Sequence, residues 1–275
     1  MIDSEWKKLA SKLYPKDVLT AEFAPGRRLI HFLILLANVP GSLESAAALA
    51  KESRINILSG FHHAPSAAKE GLWSFFADFT ETELTPSNFA AKLKSLPSVR
   101  DVKFKEGSDG LIIDSFHFPP VYGTEPSMII RRKAFSVFLG RVREILGTGP
   151  VAGVILSEMG ISAGRSAHEY LKGTMGERAV REQLKELLSL YTAAGWGVAT
   201  VSELDEESRR AVVRLEENFE CQPHKGELSA AYSHFVRGDL AGLFGEVFRT
   251  RVRCVETRCV AKGDEFCEFS IKADE

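Results

Sequence analysis

Apolar and polar positions in the first part of the chain predict a domain of alternating strands and helices. Short apolar runs indicate strands, and alanine-rich or 3.6-periodic stretches between them indicate helices. The predicted elements are strand 28–36, helix 42–52, strands 55–58 and 72–79, helix 86–96 and strand 98–104. This order predicts an antiparallel sheet that carries both helices on one face, as in a ferredoxin-like split crossover.

The second part of the chain begins with helices and ends with strands. Ile130, Val142 and Ile145 belong to one apolar stripe with the helical period, and Leu184 and Leu188 belong to another. The predicted elements are helices starting at 127, 151 and 178, strands 198–201, 210–219 and 247–256, and a helix over 229–245 that Gly238 interrupts. Helices followed by a meandering sheet predict a layered α+β domain.

These patterns divide the chain into four segments of an α+β protein. The segments are an extension 1–27 with a helix over 3–14, a first domain 28–106, a connector 107–126 and a second domain 127–275. Glycine and proline punctuate the connector, and its aromatic residues indicate packing against a domain, with His117 as a half-buried linker side chain. Gly153, Gly160 and Gly164 each cost a helix about 1 kcal/mol against alanine. They therefore indicate a close helix approach, within the chain or across a dimer.

Composition and charge narrow the classes of partner. The chain has 275 residues, 44% of them hydrophobic, which is enough for the cores of two domains. A net charge of -2 gives no general attraction to nucleic acid, and no stretch has the roughly 20 apolar residues of a membrane-spanning helix. The polar start, Met1 to Glu5, lacks a signal-peptide pattern. We expect a cytoplasmic protein without direct nucleic-acid binding, whose thiols are free or metal-bound.

The strongest chemical signal is a predicted hairpin near the carboxyl end. The turn Gly263-Asp264 separates Cys259 from Cys267, and hairpin pairing brings the two arms within about 5 Å of each other. Thiolates at one point suit a structural Zn²⁺ ion, which takes four donors at about 2.0 to 2.3 Å. The candidate ligands are Cys221, Glu256, Cys259 and Cys267, with His234 as the alternative donor. In the other interpretation all four cysteines, Cys254 included, are reduced core residues.

A series of motifs between residues 127 and 272 follows the pattern of a known domain. The motifs are Met159-Gly160 through Gly164-Arg165, Gly195-Trp196-Gly197, Asn218-Phe219-Glu220, Gly238-Asp239-Leu240-Ala241-Gly242 and Glu256-x-x-Cys259-x-x-x-Gly263-Asp264-x-x-Cys267. They resemble the vinyl-4-reductase domain, a small-molecule-binding module of chlorophyll-pathway proteins and aromatic-responsive transcription activators. In the aromatic sensors the matching glutamate and cysteines bind zinc with a third cysteine, five residues before the glycine that matches Gly238. This chain has Ser233 there, so the resemblance leaves Cys221 or His234 as the remaining ligand.

The same resemblance implies an apolar pocket between the helices and the sheet. Its ligand would be a small apolar or aromatic molecule held by a few polar groups. The candidate lining residues are Phe135, Phe138, Tyr170, Tyr191 and Trp196, with His168 as a polar anchor. In the other interpretation these side chains are ordinary core packing.

Motifs of the first domain follow a second known pattern. They are Asn38-x-Pro40-Gly41-Ser42-Leu43, Ile55-Asn56-Ile57 and Pro97-x-Val99-x-x-Val102. They resemble the ACT domain, whose members commonly bind amino acids or similar effectors and pair with a second copy. The resemblance implies an effector site at the turn, formed by Asn38, Gly41, Ser42 and Leu43. In the other interpretation the turn only connects a strand to a helix, and the domain serves dimerisation.

Three functions follow from these observations. The sequence contains no nucleophile elbow, phosphate loop or paired catalytic carboxylates, which favours a non-enzymatic protein. The first function is a homodimeric small-molecule sensor in transcriptional or metabolic control. The second is a dimeric assembly scaffold, since the vinyl-4-reductase fold resembles subunits of the vesicle-tethering complex. The third is an enzyme, or an accessory to one, in tetrapyrrole vinyl reduction.

Overall fold

The computed structural model describes residues 13, 16–18, 20–65, 67–147, 150–176 and 178–274. The chain divides into two compact units, Met1–Met128 and Ile129–Glu275. Apart from Leu13, the helix predicted over residues 3–14 lies outside the described residues. The fold class is α+β with antiparallel sheets, as the sequence predicts.

The first unit is built on a four-stranded antiparallel sheet with the order β3-β4-β2-β5. Its elements are β1 (Ala21–Phe23), β2 (Leu29–Ala37), α1 (Ser42–Glu52), β3 (Asn56–His63), β4 (Glu70–Asp78), α2 (Pro86–Lys94), β5 (Val99–Glu106), β6 (Leu111–Ile113), β7 (Val121–Tyr122) and β8 (Glu125–Pro126). The long strand β2 lies at the centre because it is apolar on both faces and buried along most of its length.

Both helices of this unit pack on the same face of the sheet. Alternate β2 residues such as Phe32 and Ile34 point to this face, where Ala46 and Ala50 of α1 and Phe89 of α2 join them in one core. The small alanines let α1 approach the sheet closely. Phe32 also stacks on Phe75 with 5.5 Å between ring centroids.

The opposite face of the sheet is covered by segments predicted as the extension and the connector. Strand β1, from residues 1–27, pairs with β6, from residues 107–126, and Ile112 packs with Leu29 and Phe76. The connector therefore packs against the first unit, in line with its aromatic content. This face also buries His31 of β2, which alternation places opposite Phe32.

The second unit is a helical layer on a second four-stranded antiparallel sheet with the order β11-β12-β10-β9. Its elements are α3 (Arg132–Leu146), α4 (Pro150–Met175), α5 (Val180–Ala193), β9 (Val198–Asp205), β10 (Arg210–Glu216), α6 (His234–Phe248), β11 (Val252–Arg258) and β12 (Cys267–Ala273). The predicted stripe of α5 is confirmed, because Leu184, Leu187, Leu188 and Tyr191 are all buried. Helix α6 is buried on most sides and lies in the centre of the core.

Two predicted boundaries in this unit are wrong. Helix α6 begins at His234, not at residue 229, and it continues through Gly238 without a break. Strand β11 begins at Val252, because the apolar residues Val247 and Phe248 complete the buried face of α6. Periodicity could not separate these two residues from the strand that follows, since short apolar runs fit a buried helix and a strand equally well.

The helices α4 and α6 pack with their backbones in contact, as the glycines predict. A Cβ atom on Gly160 would lie 2.1 Å from the carbonyl oxygen of Phe235, and one on Gly242 would lie 2.2 Å from that of Ile161. Gly238, the predicted break, lies equally close to Ser157. The close approach is thus internal to the chain. Among the described helices, α4 of 26 residues included, none combines the length and apolar character that crossing a bilayer requires.

Candidate metal centre

The carboxyl-terminal hairpin brings its acidic and thiol side chains to one end of the second sheet. Strands β11 and β12 pair antiparallel, with Glu256 opposite Phe269, while Cys259 directly follows β11 and Cys267 begins β12. Gly263 closes the turn with a φ of 100°, a conformation that glycine adopts without strain. Cys221 arrives from the segment after β10, at the start of a one-turn 3₁₀ helix. The predicted hairpin is confirmed.

The four predicted side chains meet at one point. One ligand atom from each of Cys221, Glu256, Cys259 and Cys267 lies within 4.8 Å of all the others, and the three cysteines are fully buried. The Sγ atoms of Cys221 and Cys259 are 3.5 Å apart. Two sulfur ligands on one tetrahedral zinc ion stand about 3.8 Å apart, given bonds of about 2.3 Å. The cluster therefore has the dimensions and the donor types to hold a metal ion.

Ser233 lies within this cluster, where the vinyl-4-reductase resemblance places a cysteine. Its hydroxyl donates a hydrogen bond to Glu256 at 2.7 Å and lies 2.9 Å from the Sγ atom of Cys221. Its backbone N–H donates to the other carboxylate oxygen of Glu256 at 3.0 Å. Cys221 thus brings a sulfur atom to the site from a different segment, next to the serine.

Asn218 forms a second layer around the cluster that the sequence analysis did not assign. Its Nδ2 atom donates to Ser233 Oγ at 2.8 Å and lies 3.3 Å from the Sγ atom of Cys267. The backbone N–H of Val260 lies 3.4 Å from the same sulfur. Such donors orient thiolates and offset their charge. The signal for Asn218 was its place in the motif with Phe219 and Glu220.

The thiols share their charge unequally. Hydrogen bonding from Cys221 and Cys267 lowers the pKa of Cys259, and the same bond to Cys259 raises the pKa of Cys221. A hydrogen bond with Cys221 lowers the pKa of Cys267, but the bond to Cys259 and burial outweigh it and raise that pKa to about 12. Burial and then the charge of Cys259 raise the pKa of Glu256 to about 8. A divalent cation would favour the deprotonated form of all four groups, so metal binding would release protons.

His234, the alternative ligand, lies at the first residue of α6. Its Nδ1 atom is 3.1 Å from the carbonyl oxygen of Tyr232, and burial lowers its pKa. The ring lies against Gly153 of α4, where an added Cβ atom would come within 2.6 Å of His234 Cδ2. The cluster that the structure assembles from the described residues consists of the three cysteines and Glu256.

A buried ion pair ties the segment that carries Cys221 to the start of α6. Glu220 accepts hydrogen bonds from the backbone N–H groups of Phe235 at 3.2 Å and Val236 at 2.9 Å, which caps the helix. Arg143 of α3 donates to Glu220 and to the carbonyl oxygen of Tyr232. Burial raises the pKa of Glu220, and the adjacent guanidinium opposes this shift.

Three predicted pocket residues come together in an aromatic cluster. Phe135 stacks on Phe219 with 5.2 Å between centroids, and Trp196 lies 5.3 Å from Tyr191 and 5.4 Å from Phe219. Phe235 contacts both Phe135 and Trp196. The Tyr191 hydroxyl donates a hydrogen bond to the buried carboxyl group of Asp239, whose pKa burial raises well above its usual value. This pair is a polar point inside apolar surroundings.

The other predicted pocket residues lie elsewhere on the second unit. Phe138 of α3 is 57% exposed. His168 of α4 lines a polar cleft of about 380 Å³ together with Lys172 and Arg178. Tyr170 is half-buried on the same helix. The structure does not bring these three side chains into the aromatic cluster.

The predicted effector turn of the first unit is tightly held. Asn38 Nδ2 donates to the carbonyl oxygens of Ala68 at 2.9 Å and Pro65 at 3.3 Å. Gly41 has a φ of 86° and precedes α1. The Ser42 hydroxyl is buried and has no hydrogen-bond partner among the described residues, whereas Leu43 is exposed.

Comparison with known proteins assigns the region that contains the cysteine cluster. An uncharacterized protein of Methanocaldococcus jannaschii is 28% identical over 92 residues, 34% of this chain and 51% of the relative. The chain therefore spans about half the length of this curated relative.

Three solved structures are also similar. The phenol-responsive sensory domain of the transcription activator PoxR with phenol has a TM-score of 0.49 and 18% identity over 55% of this chain and 78% of its own. Trafficking protein particle complex subunit 3 of Naegleria fowleri, covalently bound to palmitic acid, has a TM-score of 0.40 and 19% identity over 52% and 95%. A vinyl-4-reductase family protein of M. jannaschii has a TM-score of 0.38 and 20% identity over 54% and 85%. At family level, the chain matches the vinyl-4-reductase domain over residues 211–273, which include all four side chains of the cluster.

Proposed function

We propose that this chain is a non-enzymatic, small-molecule-binding regulatory protein whose second unit is held together by a structural zinc ion. The observation that carries the proposal is the meeting of three buried thiols and one carboxylate within 4.8 Å, inside a matched vinyl-4-reductase domain. The resemblance to that domain supplies the small-molecule function, and the aromatic cluster supplies a candidate site for it.

Zinc is the metal that the donor set favours. Three thiolates select a soft or borderline ion, and four protein donors close the coordination sphere, as in structural rather than catalytic sites. Cys221, Glu256, Cys259 and Cys267 come from the β10–α6 segment, β11, the hairpin turn and β12, so the ion would connect these segments. Three sulfur atoms in contact, all of them free thiols, also support a reducing compartment such as the cytoplasm.

The ligand would be a small aromatic molecule bound at the aromatic cluster. Phe135 and Trp196 offer flat apolar faces, and the Tyr191–Asp239 pair offers a hydrogen-bond donor and acceptor for a hydroxyl group. Phe138, His168 and Tyr170 then act outside this site. Binding would require the cluster to open, which gives the ligand a means to change the packing of α5 against α6.

The test uses the zinc-loaded full chain and phenol as a probe. We expect phenol to raise the melting temperature and to change the Trp196 fluorescence, and Trp196→Phe to remove the fluorescence change. Trp73→Phe, in the first unit, is the matched control and should retain it. A melting temperature and fluorescence that phenol and other small aromatic molecules leave unchanged would contradict the proposal.

An exposed apolar surface supports the homodimer. Its members lie on α3 and α4 and are 55% to 67% exposed, a large apolar fraction for neighbouring helices. They are Val137, Phe138, Ile145, Val151 and Val154. A second copy of the chain would bury them in a two-fold interface, as in both the sensor and the scaffold. Light scattering should give twice the chain mass, and Val154→Asp should give the monomer mass.

For the turn of the first unit we propose an amino-acid-type effector. The free N–H groups at the start of α1 suit a carboxylate, and the unpartnered Ser42 hydroxyl is available for a further hydrogen bond. Asn38 holds the turn, Gly41 allows close approach and Leu43 is exposed to contact a side chain. A thermal-shift screen with the free amino acids should identify a stabilising one, and Ser42→Ala should weaken that effect.

A further inference from the structure

The first unit contains a second cluster of metal-ligand side chains, far along the chain from the cysteines. It lies on the sheet face opposite the helices and joins His31 of β2 to Asp114 and His117, which follow β6. One nitrogen of each imidazole and one carboxylate oxygen lie within 4.8 Å of one another. The sequence analysis assigned no role to His31 and treated His117 as a linker side chain.

The orientation of His31 leaves one ring nitrogen directed at the carboxylate. Its Nε2 atom is 2.8 Å from the Ser74 hydroxyl, while Nδ1 is buried and has no hydrogen-bond partner among the described residues. This Nδ1 atom lies 3.8 Å from Asp114 Oδ1, which is too long for a hydrogen bond. Two ligands of one ion, each at about 2.0 to 2.1 Å, stand about 3.4 Å apart in tetrahedral geometry and farther apart at wider angles. The gap between the two atoms is therefore the size that one ion occupies.

Asp114 and His117 are held in place for the same purpose. The backbone N–H of Phe116 donates to Asp114 Oδ1 at 2.9 Å, and His117 Nδ1 lies 2.8 Å from Asp114 Oδ2. His117 Nε2 is a second buried ring nitrogen without a partner in the part of the chain that the structure describes. Two unpartnered imidazole nitrogens beside one carboxylate are costly in a buried site unless a cation or water satisfies them.

The surroundings close the cluster on one side and open it on the other. Phe76 and Phe116 lie 4.6 and 4.8 Å from the His31 ring, and Phe61 lies 5.1 Å from the His117 ring. The His31 side chain is fully buried, whereas those of Asp114 and His117 are 15% and 23% exposed. An ion can thus enter on the Asp114 side, and water can complete its coordination there.

We propose that His31, Asp114 and His117 form a binding site for a divalent transition-metal ion. Two imidazoles and a carboxylate suit Zn²⁺, Co²⁺, Ni²⁺ or Fe²⁺, and not the soft ions that thiolates select. Three protein donors leave at least one position for water or an exogenous ligand, unlike the closed cysteine cluster. The site lies wholly within the first unit and does not depend on the function proposed for the second.

The two sites can be separated by titrating the metal-free, reduced full chain with Co²⁺. We expect two equivalents to bind: one produces the intense thiolate-to-cobalt charge-transfer absorption, and the other only weak d–d bands. His117→Ala and Asp114→Asn should weaken the second site by about a hundredfold or more and keep the charge-transfer absorption, because removing a ligand costs more than removing an outer-shell partner. Cys267→Ser should do the reverse. His62→Ala, an exposed histidine of β3, is the matched control and should bind two equivalents.

Two results would overturn the proposal. One is a wild-type chain that binds a single equivalent, with all Co²⁺ lost on Cys267→Ser. The other is unchanged affinity and stoichiometry in both Asp114→Asn and His117→Ala. These side chains are partly exposed, so their variants should fold, and the retained charge-transfer absorption reports that the second unit is intact. Loss of the thiolate absorption from the wild-type chain, with the weak bands kept, would reject only the zinc proposal.

Discussion

The Sγ atoms of Cys221 and Cys259 lie 3.5 Å apart, although 38 positions separate the two residues in the chain. They belong to different strand connections, and both are fully buried. Thiols this close repel one another once ionised, and proton sharing relieves the repulsion only in part. A divalent cation between them would relieve it fully, which makes the cluster a candidate point of attachment between the sheet and the start of α6.

Cys259→Ser or Cys267→Ser should release the metal from the cysteine cluster. We expect the melting temperature to fall by about 10 °C, as for a loss of about 3 kcal/mol in a domain of this size, because the hairpin loses its connection to Cys221. Metal content by elemental analysis and thermal unfolding would be measured on the same samples. Cys254→Ala on β11 is the matched control, since Cys254 is outside the cluster, and equal metal content at this site in all three variants would refute the assignment.

Ser233→Cys should rescue a chain that has lost Cys221. The Ser233 hydroxyl lies 2.9 Å from the Cys221 sulfur and 2.7 Å from Glu256, so a thiol at position 233 would reach the same ion. We expect Cys221→Ser to lower zinc content and Cys221→Ser with Ser233→Cys to restore it. Zinc release monitored with a chromogenic chelator would compare the two. Cys221→Ser with Ser233→Ala, which adds no thiol, should remain deficient.

Gly160→Ala should destabilise the second unit by about 2 to 4 kcal/mol. The new methyl group would lie 2.1 Å from the rigid backbone oxygen of Phe235, so α4 and α6 would have to separate. Gly140→Ala in α3 is the matched control, because nothing lies within 4 Å of its added Cβ atom. It should stabilise the chain by up to about 1 kcal/mol through helix propensity. Urea unfolding of both variants would show whether the two signs differ.

Asp239→Asn should change how stability depends on pH. Burial raises the pKa of Asp239 in the folded state, so the folded chain keeps a proton that the unfolded chain loses above about pH 4. The wild-type free energy of unfolding therefore carries a term that falls as pH rises, by up to about 1.4 kcal/mol per pH unit, until the folded-state pKa is reached. The variant cannot titrate and should gain stability relative to wild type over this window.

Urea unfolding at several pH values between 5 and 8 would measure this difference. Tyr191→Phe serves as the control: it removes the hydrogen bond to Asp239 but keeps the titratable carboxyl group, so the pH-dependent term should remain. A difference between Asp239→Asn and wild type that stays constant with pH would show that Asp239 ionises normally in the folded chain.

Hydrophobic periodicity predicted most elements, because burial of one face leaves a direct pattern in the chain. The stripe Leu184 to Tyr191 and the long strand β2 are examples. Boundaries failed where apolar residues continue across a helix end, as at Val247 and Phe248 before β11. Gly238 looked like a break, whereas its missing side chain makes room for the backbone of Ser157. A single sequence does not show what a glycine faces.

The cysteine cluster could be predicted because three of its four ligands lie on or beside one hairpin, whose pairing is local. Glu256, Cys259 and Cys267 are within a dozen residues of one another. The cluster around His31 could not, since His31 and Asp114 meet only when the segment after β6 folds over the sheet. The placement of Ser233 in the cysteine cluster likewise depends on where α6 begins.

The sequence by itself determined the α+β class, the hairpin and its metal-ligand residue types, because these depend on local period, turn residues and short-range spacing. Only the tertiary structure decided that Cys221 reaches the hairpin and that the helical glycines serve contact within one chain. It also joined His31 to Asp114 and His117, whose backbone positions are more than 80 residues apart. The physical reason is that long-range contacts depend on how sheets and helices pack in three dimensions, and residue spacing along the chain carries no record of that packing.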